Sequence, residues 1–174
     1  MADKIFRVNM TDLSAVIEKV PAAWMGLGGR GLTSTVIAAE VEPTCHPLGA
    51  GNKLVIAPGL LSGTQAANSG RLSCGAKSPL TGTIKEANSG GTAAQMLARL
   101  GVEAMSIEGK PQTDSWYGLH VTAAGVTITT ETELIGMGNY EVIERLNARL
   151  GDKIGVISIG PAGEMRMTAA NISI

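Results

Sequence analysis

Residues 52–101 read NKLVIAPGLLSGTQAANSGRLSCGAKSPLTGTIKEANSGGTAAQMLARLG, and this stretch decides the fold. Short apolar runs alternate in it with loops rich in glycine, serine and asparagine. The last of these loops, residues 88–91, leads directly into a helical pattern. The apolar residues of that pattern recur at spacings of three and four: Ala93, Met96, Leu97 and Leu100. The stretch therefore predicts strands, then a glycine loop, then an amphipathic helix.

The glycine loop before this helix has the composition of an anion-binding turn. Gly90 and Gly91 let the backbone approach a ligand closely, because glycine has no side chain. The first turn of a helix offers unpaired N–H groups and the positive end of the helix dipole, which favour a phosphate. Arg71 could add a planar guanidinium for the same anion. On the residues alone, the alternative is that the glycines form tight turns and Arg71 is a solvated surface charge.

A second glycine loop, residues 28–31 (GGRG), precedes an apolar segment at residues 32–41 that is expected to be helical. It repeats the arrangement of a glycine loop that leads into a helix. The alternative here is a tight turn with Arg30 exposed to solvent.

The composition bounds the class of protein. The length of 174 residues, with 44% hydrophobic and 17% charged residues, predicts one folded domain. The net charge of −1 gives no bulk attraction to nucleic acid or to an anionic membrane. No apolar run approaches the ~20 residues that span a bilayer. The N-terminus, MADKIFRVNM, lacks the apolar region of a secretory signal, so we expect a cytoplasmic protein.

The order of the predicted elements favours an α+β fold, because strands outnumber helices and the order is mixed. Predicted strands cover residues 4–10, 53–57, 70–77, 83–87, 102–108, 153–159 and 165–174, with a hairpin at 116–122 and 125–130. Predicted helices cover residues 32–41, 92–100 and 140–150. Residues 14–20 fit either a strand or a helical turn.

Familiar catalytic motifs are missing. Residues 75–78 resemble the end of a phosphate-binding P-loop, but Pro79 prevents the helix that must follow. Cys45 and Cys74 are too few for a zinc or iron–sulfur motif, and His46 and His120 have no nucleophile at a recognisable spacing. The residues alone indicate a surface that binds an anionic ligand, without groups for proton transfer.

The succession of loops is more specific than any single loop. The motifs follow in the order GGRGL (28–32), PLG (47–49), NKL (52–54), APGLLSGT (57–64), SGR (69–71), AKSPLTG (76–82), NSGG (88–91), IEGK (107–110) and IGPAGE (159–164). This succession resembles the N-terminal domain of the tungsten-containing aldehyde ferredoxin oxidoreductases, and the resemblance extends over nearly the whole chain.

The resemblance implies a single domain, residues 1–174, with two β-sheets and a few short helices that form the base under a bis-pterin cofactor. Enzymes of this family oxidise aldehydes to carboxylic acids and pass electrons to ferredoxin. Their tungsten, or sometimes molybdenum, is held by two pterins; magnesium bridges the pterin phosphates, and a [4Fe–4S] cluster lies nearby. The residues that would meet this cofactor are Gly29, Arg30, Gly31, Arg71, Lys77 (through the backbone around it), Asn88, Ser89, Gly90 and Gly91. The backbone carbonyl of Asn88 would face the magnesium.

The chain also departs from the family pattern. The family's cluster cysteines and its GRGG segment belong to later regions, so the domain is expected to be incomplete at its C-terminus and inactive alone. Its expected partners are the remaining domains of the same enzyme or a companion subunit, and ferredoxin. A homodimer through an exposed apolar patch is a further expectation. Two alternatives stay open: a stand-alone binding or assembly module without redox activity, and an unrelated binder of nucleotide phosphates.

Overall fold

The protein, described by a computed structural model for residues 3–174, is built around a six-stranded sheet with the order β2-β1-β6-β3-β4-β5. Strand β1 pairs parallel with β6, and the other neighbours are antiparallel. The strands are β1 Lys4–Asn9, β2 Ser14–Lys19, β3 Lys53–Pro58, β4 Leu72–Lys77, β5 Ile84–Ser89 and β6 Val102–Glu108.

Short helices and two small ribbons complete the fold. The helices are a 3₁₀ turn Ala22–Trp24, α1 Gly29–Glu40, α2 Ala93–Arg99, α3 Asn139–Leu150 and α4 Pro161–Glu164. The ribbons are the hairpin β7 Tyr117–Thr122 with β8 Gly125–Thr130, and the pair β9 Ser158–Ile159 with β10 Ile172–Ser173. The predicted α+β class is confirmed. Where the resemblance implies two sheets, residues 3–174 form one large and two small ones.

The sheet buries both faces, because successive side chains of a strand point to opposite sides. One face meets α2 and the β7–β8 hairpin through a cluster that includes Phe6, Val8, Ile56, Leu72 and Met105. The other face meets α1 through a cluster that includes Ile5, Val55, Leu32, Val36 and Ile37. Each of these fully buried side chains contributes about 1.5–3 kcal/mol.

Helix α1 lies unusually close to β4. A Cβ added at Gly75 would stand 2.7 Å from the Cβ of Thr33, so glycine is required for this approach. The contact fixes α1 above β4 and β5 and brings the start of the helix to the start of β4.

Several boundaries differ from the sequence prediction. Helix α1 begins at Gly29, so residues 29–31 of the predicted glycine loop form its first turn. The strand predicted at residues 153–159 is reduced to Ser158–Ile159, and Gly155 instead lies against α2, where an added Cβ would stand 3.0 Å from the sulfur of Met96. Residues 165–174 are strand only at Ile172–Ser173, and α4 occupies the turn predicted before them. Residues 88–89, predicted as loop, extend β5 because they pair with β4. In the described range, no helix has the length and apolar character to cross a membrane.

Candidate functional site

Arg71 and Asn88 meet where β4 begins and β5 ends. The Nε of Arg71 donates a hydrogen bond to Oδ1 of Asn88 at 2.7 Å. The Nδ2 of Asn88 donates to Oγ of Ser73 at 3.0 Å, directly across the ladder. Within residues 3–174, Nη1 and Nη2 of Arg71 make no hydrogen bond or ion pair. The guanidinium is thus anchored by one nitrogen and keeps two donors for a ligand. We call the three residues Arg71, Ser73 and Asn88 the arginine cluster.

The glycine loop lies directly beside this guanidinium. A Cβ added at Gly90 would stand 3.4 Å from Nη1 of Arg71, so the missing side chain keeps space next to the free donors. Gly91 lies near the end of the chain, with its Cβ position 3.9 Å from Ile174. Ser89 is half-buried, and its Oγ donates to the Gly90 carbonyl at 3.2 Å. The structure therefore brings Asn88, Ser89 and Gly90 together with Arg71.

The N-terminus of α1 adjoins the same cluster. The Cβ position of Gly29 lies 3.4 Å from Oγ of Ser73. No side chain caps the helix at Gly28. The first N–H groups of any helix lack intrahelical acceptors, and this helix has twelve residues with which to build a dipole. Two sources of positive potential, a helix start and a guanidinium, therefore converge on one edge of the sheet.

Arg30 and Gly31 stand at the rim of this edge. The side chain of Arg30 is 74% exposed, and its Nε lies 3.7 Å from Oε2 of Glu86 on β5. The second oxygen of Glu86 is buried and finds no hydrogen-bond partner among the described residues. Gly31 is exposed. Arg30 therefore lies close to the arginine cluster, but its long ion pair with Glu86 keeps its side chain next to β5.

Lys77 lies at the opposite end of β4, roughly 20 Å from Arg71 at about 3.3 Å per strand residue. Its ammonium donates to the carbonyls of Pro43 and, at 2.7 Å, Cys45. Its backbone N–H donates to Oδ1 of Asn52 at 3.0 Å. The structure does not bring the Lys77 side chain to the arginine cluster, so its role toward a cofactor stays a prediction.

A buried serine fixes the backbone of Arg71 from the other side. The hydroxyl of Ser62 lies within hydrogen-bond distance of the carbonyls of Ser69 (3.1 Å) and Arg71 (3.3 Å), and the N–H of Arg71 donates back to it at 3.4 Å. Sequence reasoning missed Ser62, Ser73 and Glu86. Ser62 and Ser73 each follow a leucine, and a serine next to an apolar residue is the only sequence signal of a buried hydrogen-bonding role.

Cys74 and His46 are held in structural surroundings. Burial, with a smaller effect from Glu86, raises the pKa of the Cys74 thiol to about 11, so the thiolate is scarce at neutral pH. Nδ1 of His46 accepts a hydrogen bond from the N–H of Leu48 in its own loop. Across residues 3–174, no group of three or more His, Cys, Asp or Glu side chains could hold a metal ion.

Comparisons with known proteins agree on one family. Residues 5–174 match the sequence profile of the aldehyde ferredoxin oxidoreductase N-terminal domain. The chain is 35% identical over 164 residues to the tungsten-containing aldehyde ferredoxin oxidoreductase of Pyrococcus furiosus. It is 36% identical over 174 residues to that of Pyrococcus abyssi. These alignments cover 92% and 97% of this chain but only 27% and 28% of the relatives, so the chain spans little more than a quarter of their length.

A solved structure has the same fold. A chain of the active-site complex BamBC of benzoyl coenzyme A reductase, with 1,5-dienoyl-CoA, matches with a TM-score of 0.93 and 27% identity. The match covers 99% of this chain and 26% of that one. Together with the family profile and the tungsten-containing relatives, it shows that this chain belongs to the aldehyde ferredoxin oxidoreductase family and corresponds to its N-terminal domain.

Proposed function

We propose that this domain is the base on which the phosphate-bearing end of a tungsten or molybdenum bis-pterin cofactor rests. The observation that carries the proposal is the state of Arg71. Its Nε is fixed by Asn88, while Nη1 and Nη2 have no partner in the described residues and adjoin a glycine loop. An anchored guanidinium with two parallel donors is suited to bidentate contact with a phosphate.

The residues present fit such a cofactor on two counts. Gly90 leaves space beside the free donors that a larger side chain would fill. Asn88 is the penultimate residue of β5, the edge strand, where alternate backbone carbonyls face away from the neighbouring strand. A carbonyl oxygen is a ligand that Mg²⁺ accepts, so this carbonyl would help to hold a magnesium ion beside the cofactor's phosphates. Gly29, Arg30 and Gly31 would border the pterins, and Ser89 and Gly91 would shape the loop beneath.

The range of relatives supports a cofactor base more than a substrate pocket. The same fold occurs in enzymes named for aldehyde oxidation and in the active-site complex of a benzoyl coenzyme A reductase. A domain shared by enzymes of two different reactions is better explained by a common cofactor than by a common substrate. The residues of this chain would bind and orient the cofactor, whereas the substrate would be selected elsewhere.

In this proposal the domain works within a longer cytoplasmic enzyme or beside a companion subunit. When bound, the metal centre supplies the two-electron oxidation of an aldehyde to a carboxylic acid. The [4Fe–4S] cluster and the ferredoxin site would lie in regions outside this chain. A homodimer through an exposed apolar surface remains a further proposal.

The anion site can be tested on the 174-residue chain with inorganic pyrophosphate. We expect calorimetry to show binding that Mg²⁺ strengthens and that Arg71→Ala weakens at least tenfold, because a charge-assisted contact contributes about 1.5–3 kcal/mol. Arg145→Ala is the matched control: it removes the same charge from the exposed surface of α3, where Arg145 has no ion pair among the described residues.

Other results of the pyrophosphate experiment would contradict the anion site or favour a different ligand. No pyrophosphate binding, or equal losses in Arg71→Ala and Arg145→Ala, would overturn the anion site. Nucleotide affinity far above that of pyrophosphate and sulfate would favour a nucleotide-phosphate binder.

The cofactor itself requires an enzyme that contains this domain. Arg71→Ala in that enzyme should lower the tungsten and pterin content per folded protein, measured by elemental and fluorescence analysis. Unchanged occupancy would contradict the cofactor base and would favour a binding or assembly module.

A further inference from the structure

Ser73 lies at the centre of the arginine cluster, although its hydroxyl faces no open surface. Its side chain is fully buried, with 0% exposure. It pairs with Asn88 across the β4–β5 ladder and accepts the hydrogen bond from Nδ2 of that residue at 3.0 Å. The same Oγ stands 3.4 Å from the Cβ position of Gly29, the first residue of α1. One hydroxyl therefore binds the residue that anchors Arg71 and lies beside the start of α1.

The partner of Ser73 is an exposed residue whose orientation needs support. Asn88 lies at the edge of the sheet, and its amide anchors Arg71 only when Oδ1 faces Nε and Nδ2 faces the other way. Side-chain amides rotate readily unless both ends are hydrogen-bonded. Ser73 binds the Nδ2 end and so leaves Oδ1 aimed at the guanidinium.

We propose that Ser73 is a positioning residue: through the Asn88 amide it aims the free donors of Arg71 at the bound anion. This inference rests on the proposed function, because it assumes that Arg71 receives an anion. It also assigns a role to a residue that touches neither ligand nor solvent. A chain of two hydrogen bonds, Ser73 to Asn88 and Asn88 to Arg71, carries the effect.

A purely structural role makes a different prediction. When Ser73 is replaced by alanine, water can reach the exposed Asn88 amide, so no polar group of Asn88 stays buried without a partner. The loss should therefore fall on the orientation of Arg71 more than on folding. A residue needed only for folding would instead lower the unfolding midpoint and leave the guanidinium geometry of the folded fraction unchanged.

The test combines a spectroscopic signature with a double-mutant cycle. In ¹⁵N-labelled chain without ligand, the Nε–H signal of Arg71 should exchange slowly with water because it is hydrogen-bonded to Asn88. Ser73→Ala and Asn88→Ala should both accelerate that exchange. Ser73→Ala should also weaken pyrophosphate binding about 3–10-fold, the loss expected for one hydrogen bond.

The cycle shows whether Ser73 acts through Asn88. The double variant Ser73→Ala/Asn88→Ala should bind pyrophosphate no more weakly than Asn88→Ala alone, because the second change removes the only route of the effect. Ser106→Ala is the matched control. Ser106 on β6 is 1% exposed, and its hydroxyl is without a partner in the described part of the chain, so its loss should change neither exchange nor affinity.

The outcomes separate this inference from the proposed function. Unchanged Nε–H exchange in Ser73→Ala, or additive losses in the double variant, would overturn the positioning role even if Arg71 binds pyrophosphate. Faster exchange together with no pyrophosphate binding in the unaltered chain would overturn the proposed function, and with it the purpose assigned to Ser73.

Discussion

Each end of strand β4 carries a cationic side chain next to an asparagine, but the cation at one end binds backbone carbonyls and the cation at the other end binds the asparagine. At one end, Lys77 and Asn52 form a closed latch: the lysine ammonium binds the carbonyls of Pro43 and Cys45, and the Asn52 side chain binds Lys77 through both its N–H and its carbonyl. At the other end, Nε of Arg71 binds Asn88, while Nη1 and Nη2 have no partner among residues 3–174.

The difference separates a structural cation from a binding cation. A cation whose donors are already satisfied by carbonyls stabilises a loop and has little to offer a ligand. A cation that is anchored at one point is oriented but still has donors available. The charge of a residue and its position in a motif do not show whether its donors are available to a ligand. Its hydrogen-bond partners in the structure do.

The largest expected effect is at the latch. Asn52 also binds Lys53 N–H (2.8 Å) and the Pro47 carbonyl (2.7 Å), so Asn52→Ala removes four hydrogen bonds from a partly buried site. We expect a loss of about 2–4 kcal/mol in the free energy of unfolding, measured by urea denaturation. Asn88→Ala at the exposed end removes two side-chain hydrogen bonds; it is the matched control and should lose less, about 1–2 kcal/mol. Equal losses would show that the two ends do not differ as described.

Lys77→Met should have the next largest effect. The substitution keeps much of the apolar stem and removes the ammonium that binds two carbonyls. The expected loss is about 1–3 kcal/mol of unfolding free energy, read from the same denaturation curves. A variant of normal stability with weakened pyrophosphate binding would contradict the latch and would place the ammonium in the anion site.

The sequence predicted the elements whose signal is local. Strand β6 has its predicted bounds, 102–108, because alternating apolar residues end at Gly109-Lys110-Pro111. The hairpin and α3 were found within one residue for the same reason. Strand pairing decided what the local pattern left open or missed. Residues 14–20 fit either a strand or a helical turn, and residues 14–19 become strand by pairing with β1; residues 88–89, predicted as loop, become strand by pairing with β4.

The candidate site was predictable only in part. A glycine loop next to an arginine indicates an anion site, and the structure places Arg71, Asn88 and Gly90 together. The roles of Ser73 and Ser62 could not be predicted. A buried hydroxyl is identified by its hydrogen-bond partner, and that partner lies across the sheet or the loop, where only the structure shows it. The position of Lys77 was equally hidden, since its latch depends on carbonyls more than thirty residues away.

Cys74, between the two ends of β4, provides a pH test of the packed strand. Burial raises the pKa of its thiol from 9.0 to about 11, so the folded state keeps the proton after the unfolded state has lost it. Stability contributed by the neutral thiol is therefore complete below about pH 9 and falls between pH 9 and 11, by roughly 1–2 kcal/mol. The difference in unfolding free energy between the parent chain and Cys74→Ala should shrink over that range. A constant difference would mean that the thiol is more hydrated than the structure shows.

The smallest expected effect is at Arg30, at the rim of the site. Arg30 is held less firmly than Lys77 or Arg71. Its ion pair with Glu86 is long, at 3.7 Å, and its side chain is 74% exposed, so Arg30→Ala should change the unfolding free energy by less than about 0.5 kcal/mol. Pyrophosphate affinity should fall about twofold, because the Glu86 carboxylate near the anion site loses its counter-charge, and salt should reduce that difference. Arg30→Lys should restore most of the affinity, since it restores the charge. A tenfold loss that lysine does not restore would instead show that Arg30 contacts the anion through its planar guanidinium, as Arg71 is proposed to do.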